Sequence, residues 1–525
     1  MRKRFMAILA IIIVAVFVVA ACNNDSGGTP PQGAPPTGTS QTHLTMAMSN
    51  LGVNYDPIQT NDSASSFIHT QIFSTLTRLD YDTFEPLPHL AISWDMPDPQ
   101  TVHMQIRDDV FFQNGDRLTA RDVQFSLERA ADSAHVQAVT GPISHVTVHD
   151  DFNFTIHLEI PFMPILRHLA HGASSILPMD YMNEIGEENF PDAPIGSGPF
   201  QLTEIVLGDR LEFIRNENYF GDVPLIETAT LRLVPDQPSR LIEVTSGHAD
   251  IGEGIAPADI PIAEGDPGVT LMRRFNLSTN YVGFNARSPH IDNPLVRQAI
   301  NYALDNQLFV DTVLLGAGAV IDGPIAPIVW GFSQQEPFGT NFDRARELLI
   351  QAGYDPDPAP GKPVAFSTTI WYNIPNAQRQ QIAEMVSFAL AQLNIEVEVI
   401  GIEWAQYLDG TAAGDHDMFI LGWVSVTGDA DYGLYPLFHS SMFGTAGNRT
   451  FWATDELDAL LDQQRETVDE NARLQLLDQI QGIIRNEAPW IFLNQGETLL
   501  ATRSNLRGLT LNPSGSHRLD TIWFD

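Results

Sequence analysis

Cysteine and lysine are the residue types that this 525-residue sequence uses least. Cys22 is its single cysteine, so no intramolecular disulfide can form and no cysteine remains for a zinc knuckle. Lysine occurs only at positions 3 and 362, and 28 Lys plus Arg stand against 65 Asp plus Glu, a net charge of −37. A chain this acidic repels nucleic acid and anionic membrane surfaces, and neither is expected as a partner.

Catalytic motifs are also missing. The sequence contains no G-x-x-x-x-G-K-[ST], no G-x-S-x-G and no H-E-x-x-H pattern. His168 and His171 stand three residues apart, and His145 and His149 share one face of a predicted strand. We interpret these pairs as packing or surface histidines, with a metal site as the alternative. We therefore expect a protein that binds rather than an enzyme, with no cofactor and no metal.

The only long apolar run lies at the start of the chain. Positive residues 2–4 precede apolar residues 5–21, which is the layout of a signal peptide over residues 1–21. Small residues lead into Cys22 in a pattern that resembles a bacterial lipobox, so lipidation of Cys22 is predicted, with an uncleaved membrane anchor as the alternative. Residues 22–42 are rich in Gly, Pro, Ser and Thr and are predicted to form a flexible tether.

Beyond the tether the pattern alternates between strands and helices. Residues 101–112 alternate apolar and polar side chains, as a half-buried strand does. Thr119 and Asp122 have the spacing of a capping box, and Asn293 with Pro294 indicates another helix start. Further helices are predicted over 342–353, over the first half of 377–404, and at roughly 454–466 and 470–487. The result is a mixed α/β protein. One core rarely exceeds about 300 residues, so several lobes are expected.

Several segments resemble one family, the extracellular solute-binding proteins of peptide-type ABC importers, which include oligopeptide, dipeptide, nickel and glutathione binders. The most specific is "SWDMPDPQTVHMQIRDDVFFQNGDRLTARDVQFSLERA" within residues 90–130. The likeness extends from about residue 43 to 525 through these further segments: "PIGSGPF", "FIRNENYFG", "SGHADIG", "NYVGFNARSPHIDNPLVRQAINYALD", "RARELLIQAGY" and "IEWAQY".

This resemblance implies an α/β fold of the periplasmic-binding-protein type II, a clamshell of three lobes with a discontinuous first lobe. Lobe I would comprise 43–73, 194–276 and 490–525, lobe II 74–193, and lobe III 277–489. The solute would lie between lobes I and III, which close over it. The closed form, a monomer, would deliver the solute to an ABC permease with its ATPases. Its expected location is the outer face of the cell membrane, or the periplasmic space in a host with two membranes.

The segment "GWVSVTGDADYGLYPLFHS" at 422–440 is where the family's pocket is expected. In the peptide and dipeptide binders an acid three residues after the tryptophan holds the ligand's ammonium, and here that position is Val426. An arginine that holds the ligand carboxylate in dipeptide binders aligns with Trp371. The loop instead resembles the T-G-[DE]-A-D-[WY] of the glutathione-type subgroup, and so Asp429 is predicted to bind the ammonium, with Asp431 as support.

The aromatic and polar candidates complete this predicted site. Trp423, Trp404 and Trp371 fall in the pocket region by alignment, and Tyr432 is placed to stack on or hydrogen-bond the solute. The remaining candidate residues are Thr427, Asn285 and Ser63. A structural turn at 431–432 and a core role for Trp423 are the alternatives.

The ligand class remains open at this stage. The first hypothesis is a receptor for short peptides, including glutathione-like ones. The same fold could bind a nickel chelate, an oligosaccharide or an opine, or serve a sensor lipoprotein that feeds no transporter. A surface enzyme is the least favoured class because its nucleophile and metal motifs are missing.

Overall fold

The computed structural model describes residues 41–525, which belong to one compact unit. The predicted signal peptide, Cys22 and the tether as far as residue 40 lie outside the described residues. From residue 41 onwards, no helix combines the length and the apolar character needed to cross a membrane.

The strands are, in chain order, β1 (His43–Met48), β2 (Thr77–Leu79), β3 (Pro86–Pro88), β4 (Ala91–Asp98), β5 (Thr101–Ile106), β6 (Ile143–Val148), β7 (Asn153–Leu158), β8 (Phe200–Val206), β9 (Arg210–Arg215), β10 (Thr228–Leu233), β11 (Ile251–Glu253), β12 (Val269–Phe284), β13 (Gly318–Val320), β14 (Phe366–Ile374), β15 (Ile395–Glu403), β16 (Met418–Val424), β17 (Trp490–Arg503), β18 (Leu506–Arg507) and β19 (Trp523–Phe524).

The α-helices are α1 (Ser63–Ile72), α2 (Ala120–Ala131), α3 (Gln137–Thr140), α4 (Ile165–His168), α5 (Met179–Ile185), α6 (Gln237–Thr245), α7 (Ile260–Gly265), α8 (Pro294–Tyr302), α9 (Asn306–Thr312), α10 (Phe342–Gln351), α11 (Ala377–Ala391), α12 (Trp404–Ala413), α13 (Ala430–Phe438), α14 (Asp455–Glu466) and α15 (Glu470–Glu487). Short 3-10 helices cover Gly172–Ser174, Glu187–Asp192, Pro257–Asp259, Ser440–Met442 and Gly444–Ala446.

One large mixed sheet organises the described residues. Its eleven strands include the path β15-β14-β16-β12-β17-β11-β1-β10-β9-β8, with β13 paired to β17. A separate four-stranded sheet has the order β4-β5-β7-β6. The mixture of parallel and antiparallel strands with helices confirms the predicted α/β class, whereas the three lobe boundaries remain a prediction.

Two long strands, β12 and β17, join the two halves of the large sheet. They pair antiparallel from Val269 opposite Arg503 to Gly283 opposite Trp490, with register shifts between. The C-terminal part of β12 pairs with β16, while the C-terminal part of β17 pairs with β11. This crossing pair therefore carries the chain between the half built on β14–β16 and the half built on β1 and β10.

The predicted helix starts are confirmed at their caps. Thr119 and Asp122 form the capping box of α2, in which the Thr119 N–H donates to the Asp122 carboxylate at 2.8 Å. The side chain of Asn293 caps α8, and Pro294 is its first residue. At the far end of α10, Gly353 adopts a φ of +90°, which only glycine reaches without strain.

Candidate functional site

The segment after β16 turns sharply into α13. Gly428 has a φ of +66°, and an ideal Cβ there would lie 2.5 Å from Phe84, so glycine is required by both backbone and space. Asp429 then caps α13, its side chain accepting a hydrogen bond from the Asp431 N–H at 2.9 Å. The first acid of the motif therefore serves as a helix cap.

The Asp429 carboxylate is fully buried and is held by arginines. Arg473 donates to both of its oxygens, at 2.6 and 2.8 Å, and Arg167 approaches at 3.4 Å. Burial alone would raise the pKa of Asp429, but the two guanidinium groups hold it below its ordinary value. The carboxylate is therefore ionised and already neutralised within the chain.

Asp431, two residues further on, is in a similar position. Arg465 donates to its two oxygens at 2.7 and 2.9 Å, Gln464 also donates to it, and His168 Nε2 lies 3.6 Å away. Its exposure is also zero. Each acid therefore already has an arginine partner inside the protein. The ammonium role of Asp429 and the supporting role of Asp431 remain predictions.

The aromatic candidates from the same segment pack on one another. Trp423 is half-buried, donates from Nε1 to the Tyr432 carbonyl at 2.7 Å, and has its ring 5.2 Å from that of Tyr432. Tyr432 is 4% exposed, and burial raises the pKa of its hydroxyl. Trp423 therefore offers a partly free face, while Tyr432 lies mainly within the core.

The other predicted residues occupy different surroundings. Asn285 is buried and donates to the carbonyls of Gly414 and His416, and the buried hydroxyl of Thr427 accepts from the Asp429 N–H. Ser63 is exposed at the first position of α1. Trp371 and Trp404 are half-buried against the same core cluster as Trp423.

His168 and His171 fit their predicted role as packing residues. Both are buried, and burial lowers the pKa of His168 to about 4 and that of His171 to about 3. No group of three potential metal ligands occurs within residues 41–525.

A first cavity of about 400 Å³, cavity A, adjoins the segment after β16. Val426 and Leu277 form one side of it. The opposite walls come from α1, the β2–β3 region and the C-terminal loop, including Thr70, Arg78, Tyr81, Asn512, Ser516 and Arg518. The nine predicted site residues do not line cavity A, although Val426 lies within their segment.

The two arginines that line cavity A differ in their partners. Arg518 is paired with Asp520, and this pair raises the pKa of Arg518 although burial alone would lower it. The exposed side chain of Arg78 forms neither a hydrogen bond nor an ion pair within the described residues, although its backbone pairs with Leu87. Burial lowers the pKa of His89, on the same wall, to about 3, so this imidazole is neutral near pH 7. The guanidinium of Arg78 is therefore free to bind an anionic group.

A second cavity of about 310 Å³, cavity B, lies along the polar face of the crossing strands. Asn276 and Ser278 line it, whereas Leu277 between them lines cavity A. Successive side chains of a strand point to opposite faces, and so the two cavities flank the crossing pair. Other walls of cavity B include Gln237, Asn280, Gln378, Arg379, Asn494 and Glu497.

Sequence reasoning missed the residues that line both cavities. Arg78 belongs to a short hairpin strand without a recognisable motif, and Arg379 follows a helix cap in an ordinary helix start. The Gly- and Ser-containing loop at 512–518 was the available signal, because so polar a stretch close to buried strands suggests a lining role.

Comparison with known proteins identifies the class. The model of the "Bacterial extracellular solute-binding proteins, family 5 Middle" matches residues 85–445, well over half of the chain. The chain therefore belongs to this family, and the predicted resemblance is confirmed. Because proteins of this family bind solutes and carry out no chemistry, membership also confirms that the chain is not an enzyme.

The individual relatives have low sequence identity to this chain. The chain is 26% identical to the dipeptide-binding protein of Escherichia coli (strain K12), over 86% of this chain and 88% of the relative. It is 27% identical to the glutathione-binding protein GsiB of the same strain, over 88% and 91%. The solved structure of the ABC transporter-associated periplasmic binding protein DppA from Helicobacter pylori, in complex with peptide STSA, matches with a TM-score of 0.85 and 25% identity over 92% and 98%.

Proposed function

We propose that this protein captures short peptides, glutathione-like ones among them, outside the cell and delivers them to a membrane permease. At the coarser level it is a substrate-binding protein of an ABC importer for peptides or related solutes. The finer assignment to peptides is supported chiefly by one observation, the unpaired Arg78 in cavity A.

Cavity A suits a short peptide with a free carboxylate. It is bounded by Val426 and Leu277 on one side and by α1 and the C-terminal loop on the other, so a solute within it contacts both. The hydroxyl and amide groups of Thr70, Asn512 and Ser516 supply neutral hydrogen-bond partners. Arg78 supplies a cation for a peptide carboxylate, and arginine-to-carboxylate bonds are stronger than neutral ones.

The glutathione-like preference rests on the loop that follows β16. Val426 lines cavity A where an acid would hold the ammonium of an ordinary dipeptide. A γ-linked tripeptide presents its ammonium elsewhere, and so the absence of an acid at 426 disfavours ordinary dipeptides more than glutathione.

The proposal includes a lipid anchor and a transporter partner. Lipidation of Cys22 would hold the chain at the outer face of the cell membrane through the tether. Its partners would be a permease and the ATPases of that permease. Closure of the halves joined by β12 and β17 over the solute would give the permease a loaded form to recognise.

Thermal-shift screening of the purified full chain tests the ligand class. The panel comprises glutathione, dipeptides to pentapeptides, a nickel–histidine chelate and oligosaccharides. A ligand at a hundredfold excess over Kd adds about 2.7 kcal/mol of stability, which shifts the melting temperature measurably. A shift with glutathione or short peptides is expected. A shift with the nickel chelate or oligosaccharides alone would overturn the peptide assignment.

Two arginine variants make this test specific for cavity A. Arg78→Gln should weaken peptide binding about tenfold or more, because a charge-assisted bond is lost. Arg344→Gln is the matched control, since the Arg344 side chain on α10 is 43% exposed and pairs with Glu347 at 2.9 Å. Equal affinities of the two variants would remove Arg78 from the site.

A further inference from the structure

We propose that cavity B binds the carboxylate group of a small polar solute, held by the Arg379 guanidinium and the Asn494 amide. This site lies across the crossing strands from cavity A and shares no lining residue with it. The inference therefore goes beyond the proposed function and can hold for a peptide carboxylate or for a free small carboxylate.

Arg379 is a cation without an acid. It lies in the first turn of α11, and its Nη1 donates to the Asn373 side chain at 2.6 Å. Within residues 41–525 it makes no ion pair, and burial lowers the pKa of its guanidinium, as expected for a cation that no acid neutralises. Most of its N–H donors remain available to a ligand.

The other charge in cavity B is already neutralised. Glu497 pairs with Arg273, their closest atoms lying 2.6 Å apart. The N-terminus of α11, which carries a partial positive charge, adds to the field of Arg379. Cavity B is therefore locally positive in a chain of net charge −37, and an anion is the complementary occupant.

Asn494 gives independent evidence for a ligand. It is 1% exposed and lines cavity B, yet neither its Nδ2 nor its Oδ1 has a hydrogen-bond partner among the described residues. A buried amide without partners costs about 1–3 kcal/mol, so such groups are rare unless something else satisfies them. A carboxylate in the cavity would accept from Nδ2.

The walls of cavity B come from both sides of the crossing pair. Gln237 belongs to α6, whereas Gln378 and Arg379 belong to α11. Asn280 lies on β12 between them. A carboxylate-bearing solute here would therefore contact both halves of the sheet, so its binding would favour their closed arrangement.

Calorimetric titration of the full chain with paired probes tests the site. The probes are triglycine and triglycinamide, glutathione and its glycine-amidated form, and glutarate and glutaramide. Each pair differs only in a carboxylate, and the glutarate pair does not depend on peptide binding. Wild type is expected to bind at least one carboxylate about ten- to a hundredfold more tightly than its amide, and Arg379→Gln should erase this preference.

Control variants keep the result interpretable. Arg344→Gln removes the same charge from an exposed helix and should retain the preference. Asn494→Asp has the same shape and places a negative charge in cavity B, so it should also lose carboxylate binding even if Arg379→Gln fails to fold.

The outcomes separate this inference from the proposed function. Loss of the preference in Arg379→Gln and Asn494→Asp supports it, whether the ligand is a peptide or glutarate. A preference that survives in both variants but is lost in Arg78→Gln would overturn it and leave the proposed function intact. Failure of wild type to bind any carboxylate probe would also overturn it.

Discussion

Asp429 and Arg473 form a buried two-point ion pair that ties the N-terminus of α13 to α15. The Arg473 side chain is 5% exposed and that of Asp429 is not exposed. The same carboxylate lies 3.4 Å from Arg167 of α4. A motif that resembles a ligand loop is therefore also a junction between three helices.

Replacement of Asp429 by asparagine should destabilise the protein strongly. Removing one partner of a buried pair leaves the other charge uncompensated, at a cost of about 3–5 kcal/mol. Urea unfolding should show a lower midpoint with an unchanged slope. Glu347→Gln, which breaks the exposed pair with Arg344, should cost less than about 1 kcal/mol.

A ligand role for Asp429 would give a different result. Asp429→Asn would then lose affinity for peptides with a free ammonium but keep its affinity for N-acetylated ones, with little change in the free energy of unfolding. Titration of the two peptide forms against the folded variant distinguishes this outcome from a structural role.

Replacement of Gly428 by alanine should destabilise the protein by more than its positive φ alone implies. A left-handed conformation costs a non-glycine residue about 1–2 kcal/mol, and a Cβ here also collides with Phe84 at 2.5 Å. We expect a total loss of about 3 kcal/mol in unfolding free energy. Gly208→Ala is the matched control, since φ is +72° there and the space is open. Equal losses for both variants would contradict the predicted clash.

Acid should weaken the fold through the buried histidines. Burial lowers the pKa of His168 to about 4, whereas an unfolded histidine titrates near 6.5. Between these values the unfolded chain binds the proton and the native protein does not, so stability falls as the pH is lowered. At pH 4 the loss from His168 approaches about 3 kcal/mol.

The groups that face His168 modify this effect without reversing it. Asp431 and Asp429 favour its protonation, Arg465 opposes it, and burial dominates. His168→Asn, which can keep a donor towards the Val139 carbonyl, should show a smaller stability loss between pH 6.5 and 4 in urea titrations. His135→Asn, at an exposed site, should show the wild-type loss. An identical pH profile of stability for both variants would contradict the assignment of this acid-dependent loss to His168.

Membrane attachment is predicted to depend on Cys22. Replacement by serine removes the thiol that would carry lipid, so the protein should move from the membrane fraction to the soluble fraction. Ser26→Ala, in the same tether, should stay with the membrane. If Cys22→Ser also stays there, the apolar run at 5–21 is an uncleaved anchor instead.

The sequence alone determined the local features and the family. Caps such as Thr119 with Asp122 and Asn293 with Pro294 depend on interactions between near neighbours in the chain, and the structure has them as predicted. The family followed from short motifs spread along the chain, and the family model confirms it.

Only the tertiary structure decided which polar groups have partners. Asp429 meets Arg473 across 44 positions of sequence, and Arg379 meets no acid at all within the described residues. Neither fact can be derived from spacing, because both depend on how α11, α13 and α15 pack around the sheet. The sequence therefore predicted a binding loop, whereas the fold determined that the acids of this loop are paired and that arginines without ion pairs line two cavities beside β12 and β17.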